Sequence, residues 1–268
     1  MIEFKNINFI RDGDYILKDI NLKINKNENW LVLGPNGSGK STLFSLLKAY
    51  TIASAGDIEV FGKSFGFDNW NCVKEKIRIV SSTMDKFKDV LYKESVYEIV
   101  LSGLKNKIGI YEKESEDEKN LVENFLRDFD FYYMKDKKYK VLSAGEKQKV
   151  LILRSLIARP EILVLDEPCA SLDLYQKEKI LNFIEDIKTN LIYISHDISE
   201  ILPTITHVVL IKDGRIFKKG KREEVLTDKN LSELYGLNLN IEFPRDERPI
   251  IHVLRGEGKW KLKARRLF

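Results

Sequence analysis

Between Gly34 and Ser41 the chain spaces glycine, lysine and a hydroxyl as G-x-x-x-x-G-K-S, in the run Gly34, Pro35, Asn36, Gly37, Ser38, Gly39, Lys40, Ser41, Thr42. Glycines let the backbone curl until several N–H groups face one anion. A helix opening at Ser41 adds N–H groups and the positive end of its dipole. Lys40 can reach terminal phosphates, and the Ser41 hydroxyl can ligate Mg²⁺. The apolar "NWLVLG" before and the helical spacing of "STLFSLLKAY" after are the setting such a loop needs. The reading is a cradle for the phosphates of a nucleotide.

Two further apolar runs end in groups that suit such a cradle. "ILVLDE" closes on Asp166 and Glu167. A carboxylate at the end of a buried strand can hold Mg²⁺ through its water shell, and the next can take a proton from an attacking water. "LIYISH" closes on His196. If the strands ending at Leu33, Leu165 and Ser195 share a parallel sheet, His196 lies at the edge where ligands bind and can position the water and the γ-phosphate.

The elements that must place these groups are readable in outline. "IEFKNINFI" and "YILKDINLKI" alternate with a period of two around the turn Asp12-Gly13, and "DIEVFGKSF" reads as one more strand, closed by Gly62. From about 84 to 141 the pattern turns helical, in "ESVYEIVLSGL" and "EKNLVENFLRDF", with the charged "YEKESEDEK" between them as a solvated helix start or loop. Then "EKQKVLILRSLIA" and "LYQKEKILNFIEDIK" read as helices, and "HVVLIKDGRIFKKG" as a hairpin turning at Asp213-Gly214. The expected fold class is α/β: a parallel core sheet, an N-terminal antiparallel β subdomain and a helical insert. The expected domains are 1–240 and a C-terminal extension, 241–268.

Composition narrows the function classes. The chain has 268 residues, 43% of them hydrophobic, with a net charge of +4. That charge does not call for nucleic acid or a membrane surface as partner. Two cysteines, Cys72 and Cys169, make no disulfide framework or metal-ligand spacing, which suits a reducing cytoplasm. No run approaches the roughly 18 apolar residues of a membrane span, and the start lacks signal-peptide character.

The phosphate loop alone does not choose among nucleotide enzymes; "LSAGEKQKV" does. Leu142 to Glu146 resembles the ATP-binding cassette signature L-S-G-G-Q or L-S-G-G-E. The order "GPNGSGKST", "LSAGE", "ILVLDEP", "SLD", "ISHD" is similar to that family over about residues 1–236. The resemblance implies a P-loop NTPase that binds ATP and Mg²⁺ and works as a pair of cassettes. Each ATP would lie between the phosphate loop of one subunit and the signature of the other: Ser143, Ala144, Gly145 and Glu146 in trans. Asp173 would contact the partner's phosphate loop. One set of motifs per chain implies a second cassette subunit, a homodimer being the simplest. The resemblance also implies a transmembrane permease, with this chain peripheral at the inner face of the membrane.

Three positions depart from the family pattern. Ser82 stands where a glutamine usually helps ligate Mg²⁺ and marks the groove for membrane partners. Arg11, with Tyr15 as the other candidate, stands where an aromatic usually stacks on adenine; a guanidinium can also stack on a base. Ala144 and Glu146 replace glycine and glutamine in the signature.

"ESVYEIVLSGL" resembles the T-V-x-E-x-V-x-x-G segment of importers for iron chelates and molybdate, although packing alone produces a similar helix. The basic "GKWKLKARRLF" reads as an edge strand with solvated lysines, in a hairpin with "PIIHVLRGEG". Two functions therefore stand side by side: the energising subunit of an importer for a metal chelate or oxyanion, and a soluble cassette ATPase acting on a protein, nucleic-acid or cofactor-assembly partner.

Overall fold

The computed structural model of the chain describes residues 1–81, 87–105, 114–244 and 248–254. Its N-terminal sheet begins with β1 (Ile2–Arg11) and β2 (Asp14–Ile24), antiparallel about a two-residue turn. Asp12 and Gly13 both have positive φ (51° and 88°), the geometry whose twist matches that of a hairpin. The single strand expected over 57–65 is two, β4 (Ala55–Val60) and β5 (Lys63–Ser64), because Phe61 and Gly62 both take positive φ and reverse the chain. The order is β2-β1-β4-β5.

The second sheet has six strands: β3 (Trp30–Leu33), β6 (Ile77–Val80), β7 (Ile162–Asp166), β8 (Asn190–Ser195), β9 (His207–Lys212) and β10 (Arg215–Lys221), in the order β10-β9-β3-β8-β7-β6. All are parallel except β10, which returns from β9 at the expected turn. Central strands buried on both faces read as continuous apolar runs, and period two sends their residues to two cores. Leu31, Leu33, Leu163, Leu165 and Tyr193 join the core under the helical insert. Trp30, Val32, Ile162, Val164 and Ile194 join the core under the N-terminal sheet.

The helices are α1 (Lys40–Ser45), α2 (Asn71–Lys76), α3 (Lys88–Leu91), α4 (Val96–Leu104), α5 (Glu116–Asp128), α6 (Ala144–Leu156), α7 (Leu174–Glu185), α8 (Arg222–Val225) and α9 (Asp228–Tyr235). α1 is shorter than "STLFSLLKAY" suggests: it tightens into a 3-10 turn at Leu46–Lys48 and stops at Ala49, whose φ is 53°. The acidic run starts α5. Ser115 and Glu118 form a capping box, and Glu116, Asp117 and Glu118 sit where the helix dipole favours anions.

A hairpin closes the described part of the chain. Ile250–Val253 (β12) pairs with the preceding Leu239–Glu242 (β11), and the basic 258–268 segment lies outside the described residues. Ile241 and Ile251 rest on the core beneath the insert, and Arg248 pairs with Glu178 of α7.

Lys48, at the end of the turn after α1, is buried and donates to the carbonyls of Lys74 (2.7 Å) and Ile77 (3.3 Å). Burial, helped by the nearby cations Arg78, Lys74 and Arg154, pushes its amine down to about 8 from 10.5. The folded chain thus holds this proton less tightly than the unfolded one. The stability lost to burying the charge is fully lost below about pH 8 and is recovered as pH rises toward 10.5. Lys48→Met keeps the aliphatic stem and removes this dependence. Urea unfolding should show the native chain gaining about 2 kcal/mol on the variant between about pH 7.5 and about pH 10.

Candidate active site

Leu33 ends the strand held between β8 and β9, and the chain there enters the glycine loop. Gly34 sits so close to β9 that a Cβ would meet the Ile211 carbonyl oxygen at 2.1 Å. Gly39, with φ 99°, starts α1 beneath β2, where a Cβ would lie 2.7 Å from Leu17 Cδ2 and 2.9 Å from the Ile16 carbonyl oxygen. These two glycines fix the loop between both sheets. Asn36 and Gly37 form the exposed crest, Pro35 and Thr42 are half-buried, and Ser38 is buried. No side chain caps α1. Among the described residues the buried Ser38 Oγ has no hydrogen-bond partner. An orphaned hydroxyl costs free energy unless something outside the chain satisfies it, and an anion in the loop can.

Lys40 lies buried inside the loop. Its Nζ donates to the carbonyls of Gly34 (2.8 Å) and Pro35 (3.0 Å) and lies 4.0 Å from Glu167 Oε1. Burial lowers its pKa, opposed by the carboxylates of Glu167 and Asp166. Phosphate oxygens offer this buried cation stronger, charged acceptors than carbonyls do.

The Ser41 hydroxyl donates to Asp166 Oδ1 at 2.9 Å. Asp166 ends β7 in register with Ile194 of β8, so the strand pairing brings the carboxylate to the loop. Burial raises its pKa; the Ser41 bond and Lys40 oppose that, while Glu167 adds to it. One hydroxyl and one carboxylate are hard oxygen donors. They fit Mg²⁺, which keeps several waters and takes substrate phosphates as ligands. Among the described residues no group of three or more metal-ligating His, Cys, Asp or Glu side chains occurs, so a tighter all-protein cage is not built there. Ser82, expected beside the metal, lies outside the described residues.

Glu167 takes φ 51° immediately after the strand, and its N–H donates to the Ile194 carbonyl at 2.9 Å. This turn aims the carboxylate back over the sheet edge. Its Oε1 lies 3.2 Å from His196 Nδ1 and 4.0 Å from Lys40 Nζ. Asp166, Glu167 and Ser81 line a cavity of about 390 Å³ that continues under Lys88, Tyr92 and Lys147 of the helical insert and α6. A water reached by Glu167 from that side can lose its proton to the carboxylate.

His196 is held by groups that no motif announced. Tyr235 of α9 donates its hydroxyl to the His196 carbonyl at 3.0 Å. Next to it, Asp197 Oδ2 binds Lys177 Nζ at 2.5 Å, and Lys177 also lies 3.3 Å from Glu200, which accepts from the hydroxyls of Tyr193 and Ser195. The only sequence signal was the run of polar residues after a buried strand. Nothing in it named Lys177 or Tyr235 as partners.

The signature is divided between two cavities: Ala144 lines the one that holds Asp166 and Glu167, and Ser143, Gly145 and Glu146 line another. Ser143 caps α6: its Oγ accepts from Glu146 N–H, and Glu146 reaches back to the Ser143 N–H. That reciprocal bond is one that either glutamate or glutamine can make at this position. Ala144 is exposed and its methyl has room. Gly145 is buried and donates its N–H to Gln176 Oε1 at 2.7 Å. Asp173 is exposed and caps α7 by accepting from Gln176 N–H. Ser143, Gly145 and Glu146 line a separate cavity with Tyr175, Gln176 and Lys179, and none of its lining residues comes from the loop at 34–42.

Arg11 and Tyr15 lie exposed at the tip of the β1–β2 hairpin, the hairpin whose Ile16 and Leu17 touch Gly39. Arg11 lies over the Phe9 ring, its Cζ 5.5 Å from the centroid.

Comparison with known proteins agrees with this geometry. The family model described as "ABC transporter" matches residues 17–170. The uncharacterized ABC transporter ATP-binding protein YlmA of Bacillus subtilis (strain 168) is 35% identical over 94% of this chain and 96% of its own. The zinc uptake system ATP-binding protein ZurA of Listeria innocua serovar 6a is 29% identical over 87% of this chain and 92% of its own. The structure of cbiO1 from Clostridium perfringens, part of the ABC transporter complex cbiONQ, superposes with a TM-score of 0.72. It is 31% identical, over 87% of this chain and 92% of cbiO1.

Proposed function

This chain belongs to the ABC transporter family as one of its ATP-hydrolysing, ATP-binding proteins, and from that premise we propose that it energises uptake of a small solute through a membrane permease. The observation that carries the catalytic part is the convergence on Glu167, 3.2 Å from His196 and 4.0 Å from Lys40, at the edge that also presents the glycine loop.

In this reading Lys40 and the N–H groups of residues 34–42 hold the β- and γ-phosphates of ATP. Arg11 or Tyr15 provides the platform for adenine. Ser41 and Asp166, with Ser82 as the third expected ligand, would hold Mg²⁺, which would neutralise charge on the phosphates. Glu167 takes a proton from water as the water oxygen bonds to the γ-phosphorus. The bond to the bridging oxygen breaks, and ADP and phosphate leave. His196, braced by Tyr235 and the Asp197–Lys177 pair, orients the water and the γ-phosphate. The signature of a second copy, Ser143 to Glu146, completes the site, and Asp173 meets the facing loop. The cavity lined by Ser143, Gly145 and Glu146 takes no lining residue from the loop at 34–42, which supports this pairing.

Import rather than export is supported by one likeness: ZurA carries zinc uptake in its name. α4 carries the importer-like segment, with Val96, Ile99 and Val100 turned into the core. A metal ion, metal chelate or oxyanion is therefore the proposed cargo. Among the described residues no helix is long and apolar enough to cross a membrane, so the passage is assigned to a partner and this chain to the inner membrane face. Residues 1–240 are proposed as the ATPase unit and 241–268 as its extension. Affinity purification of the chain from detergent-solubilised membranes should recover a multi-span protein that raises ATPase activity severalfold. Recovery of soluble partners alone would refute the importer reading and favour a soluble cassette ATPase.

A further inference from the structure

Under the reading above, the tip of α6 must grip the ATP held by the partner chain. In the single chain that tip is already engaged. The Gly145 N–H donates to Gln176 Oε1 at 2.7 Å. The glutamine lies across the glycine: a Cβ built on Gly145 would meet both Cβ and Oε1 of Gln176 at 3.2 Å. An N–H donates well along one direction. A phosphate oxygen can take that direction only when the carboxamide oxygen leaves it.

The backbone on either side is tied down. Gln176 N–H donates to Asp173 Oδ1 at 2.9 Å, which caps α7. One residue on, Lys177 fastens the same turn to Asp197 and Glu200. The tip of α6 is fixed by the Ser143–Glu146 capping box. The Gln176 side chain is half-buried and lines, with Ser143, a cavity of about 490 Å³ that rotation about its own bonds can carry it into.

We propose that Gln176 is a positioning residue that occupies the Gly145 N–H in the separated subunit and swings aside when the partner's ATP docks, so that it sets the ATP concentration at which two chains close. This rests on the reading of a nucleotide-sandwiched pair. The exchange replaces a neutral amide acceptor with a charged phosphate oxygen, the stronger of the two. ATP therefore displaces the glutamine, but only above a threshold.

The test uses the full chain carrying Glu167→Gln, so that ATP is not consumed, with Mg²⁺ present. Sedimentation gives the ATP concentration for half-maximal pairing, and a fluorescent ATP analogue at low protein concentration gives the affinity of the single chain. Gln176→Ala removes the competing acceptor and should lower the pairing concentration about three- to tenfold. Gln176→Glu keeps the reach, holds the N–H more firmly and repels phosphate, and should raise it at least about tenfold. The affinity of the single chain should stay within about twofold in both, because Gln176 lines no part of the loop at 34–42.

A glutamine that served only packing would shift both variants the same way. Shifts in one direction, or none beyond about twofold, overturn the role of Gln176 and leave the paired site standing. A Glu167→Gln chain that never pairs with ATP overturns both.

Discussion

Replacing Glu167 with glutamine should cut ATP turnover at least about a hundredfold, leave ATP binding in place and hold two chains together once ATP is added. Glutamine has the length and shape of glutamate but takes no proton at neutral pH. It loses its pull on Lys40, 4.0 Å away, and keeps hydrogen-bonding reach to His196, 3.2 Å away. The backbone hydrogen bond from residue 167 to Ile194 is untouched, so the turn that aims the side chain survives. Binding depends on the loop at 34–42 and on Lys40, which this exchange does not remove. Phosphate release and gel filtration, with and without ATP, check both halves. Turnover near that of the unmodified chain would remove Glu167 from the role of base, and chains that stay single would remove the trapped pair.

The parts of this site that sequence made legible are those set by local geometry. The glycine loop lies where a buried strand meets a helix, and Asp166, Glu167 and His196 each follow an apolar run. In a parallel sheet such ends meet at one edge, and the register Leu33 with Ser195 and Asp166 with Ile194 does that. The Ser143–Glu146 box has the S-x-x-E spacing of a helix start, although those residues were legible only as a signature. α9 was missed although its signals were there: Thr227 caps it by accepting from Asn230 N–H, and Gly236, φ 66°, ends it. Such short helices carry little periodicity to read.

What stayed hidden is non-local. Gly145 and Gln176 meet across 31 positions, and Tyr235 reaches the His196 carbonyl across 39. Alternation in "PIIHV" marked a strand but could not say that its partner precedes it, because pairing depends on which neighbour the tertiary fold delivers. The buried lysine at 48 is of the same kind. Its sequence neighbours do not reveal that Arg78, Lys74 and Arg154 surround it.

The assignment of the loop and the signature of one site to different chains leads to the second large effect. Lys40→Met keeps most of the buried stem and removes the cation that would hold phosphate. Ser143→Asp keeps a good helix cap and sets a carboxylate against the incoming γ-phosphate. Each variant alone should be inactive, since a symmetric pair repeats its defect at both sites. Mixed, they differ in a decisive way. In a mixed pair one site takes the Lys40 defect from one chain and the Ser143 defect from the other. The opposite site takes an intact loop and an intact signature. Random pairing makes half of the pairs mixed, with one sound site in two, so an equimolar mixture should recover about a quarter of the native rate. Each mixed pair should also occlude one ATP when Glu167→Gln is added to the chain with the intact loop. A site assembled within one chain predicts no recovery at any ratio, because no chain then carries both the lysine and the serine. Activity against mixing ratio, peaking at equal amounts, separates the two arrangements.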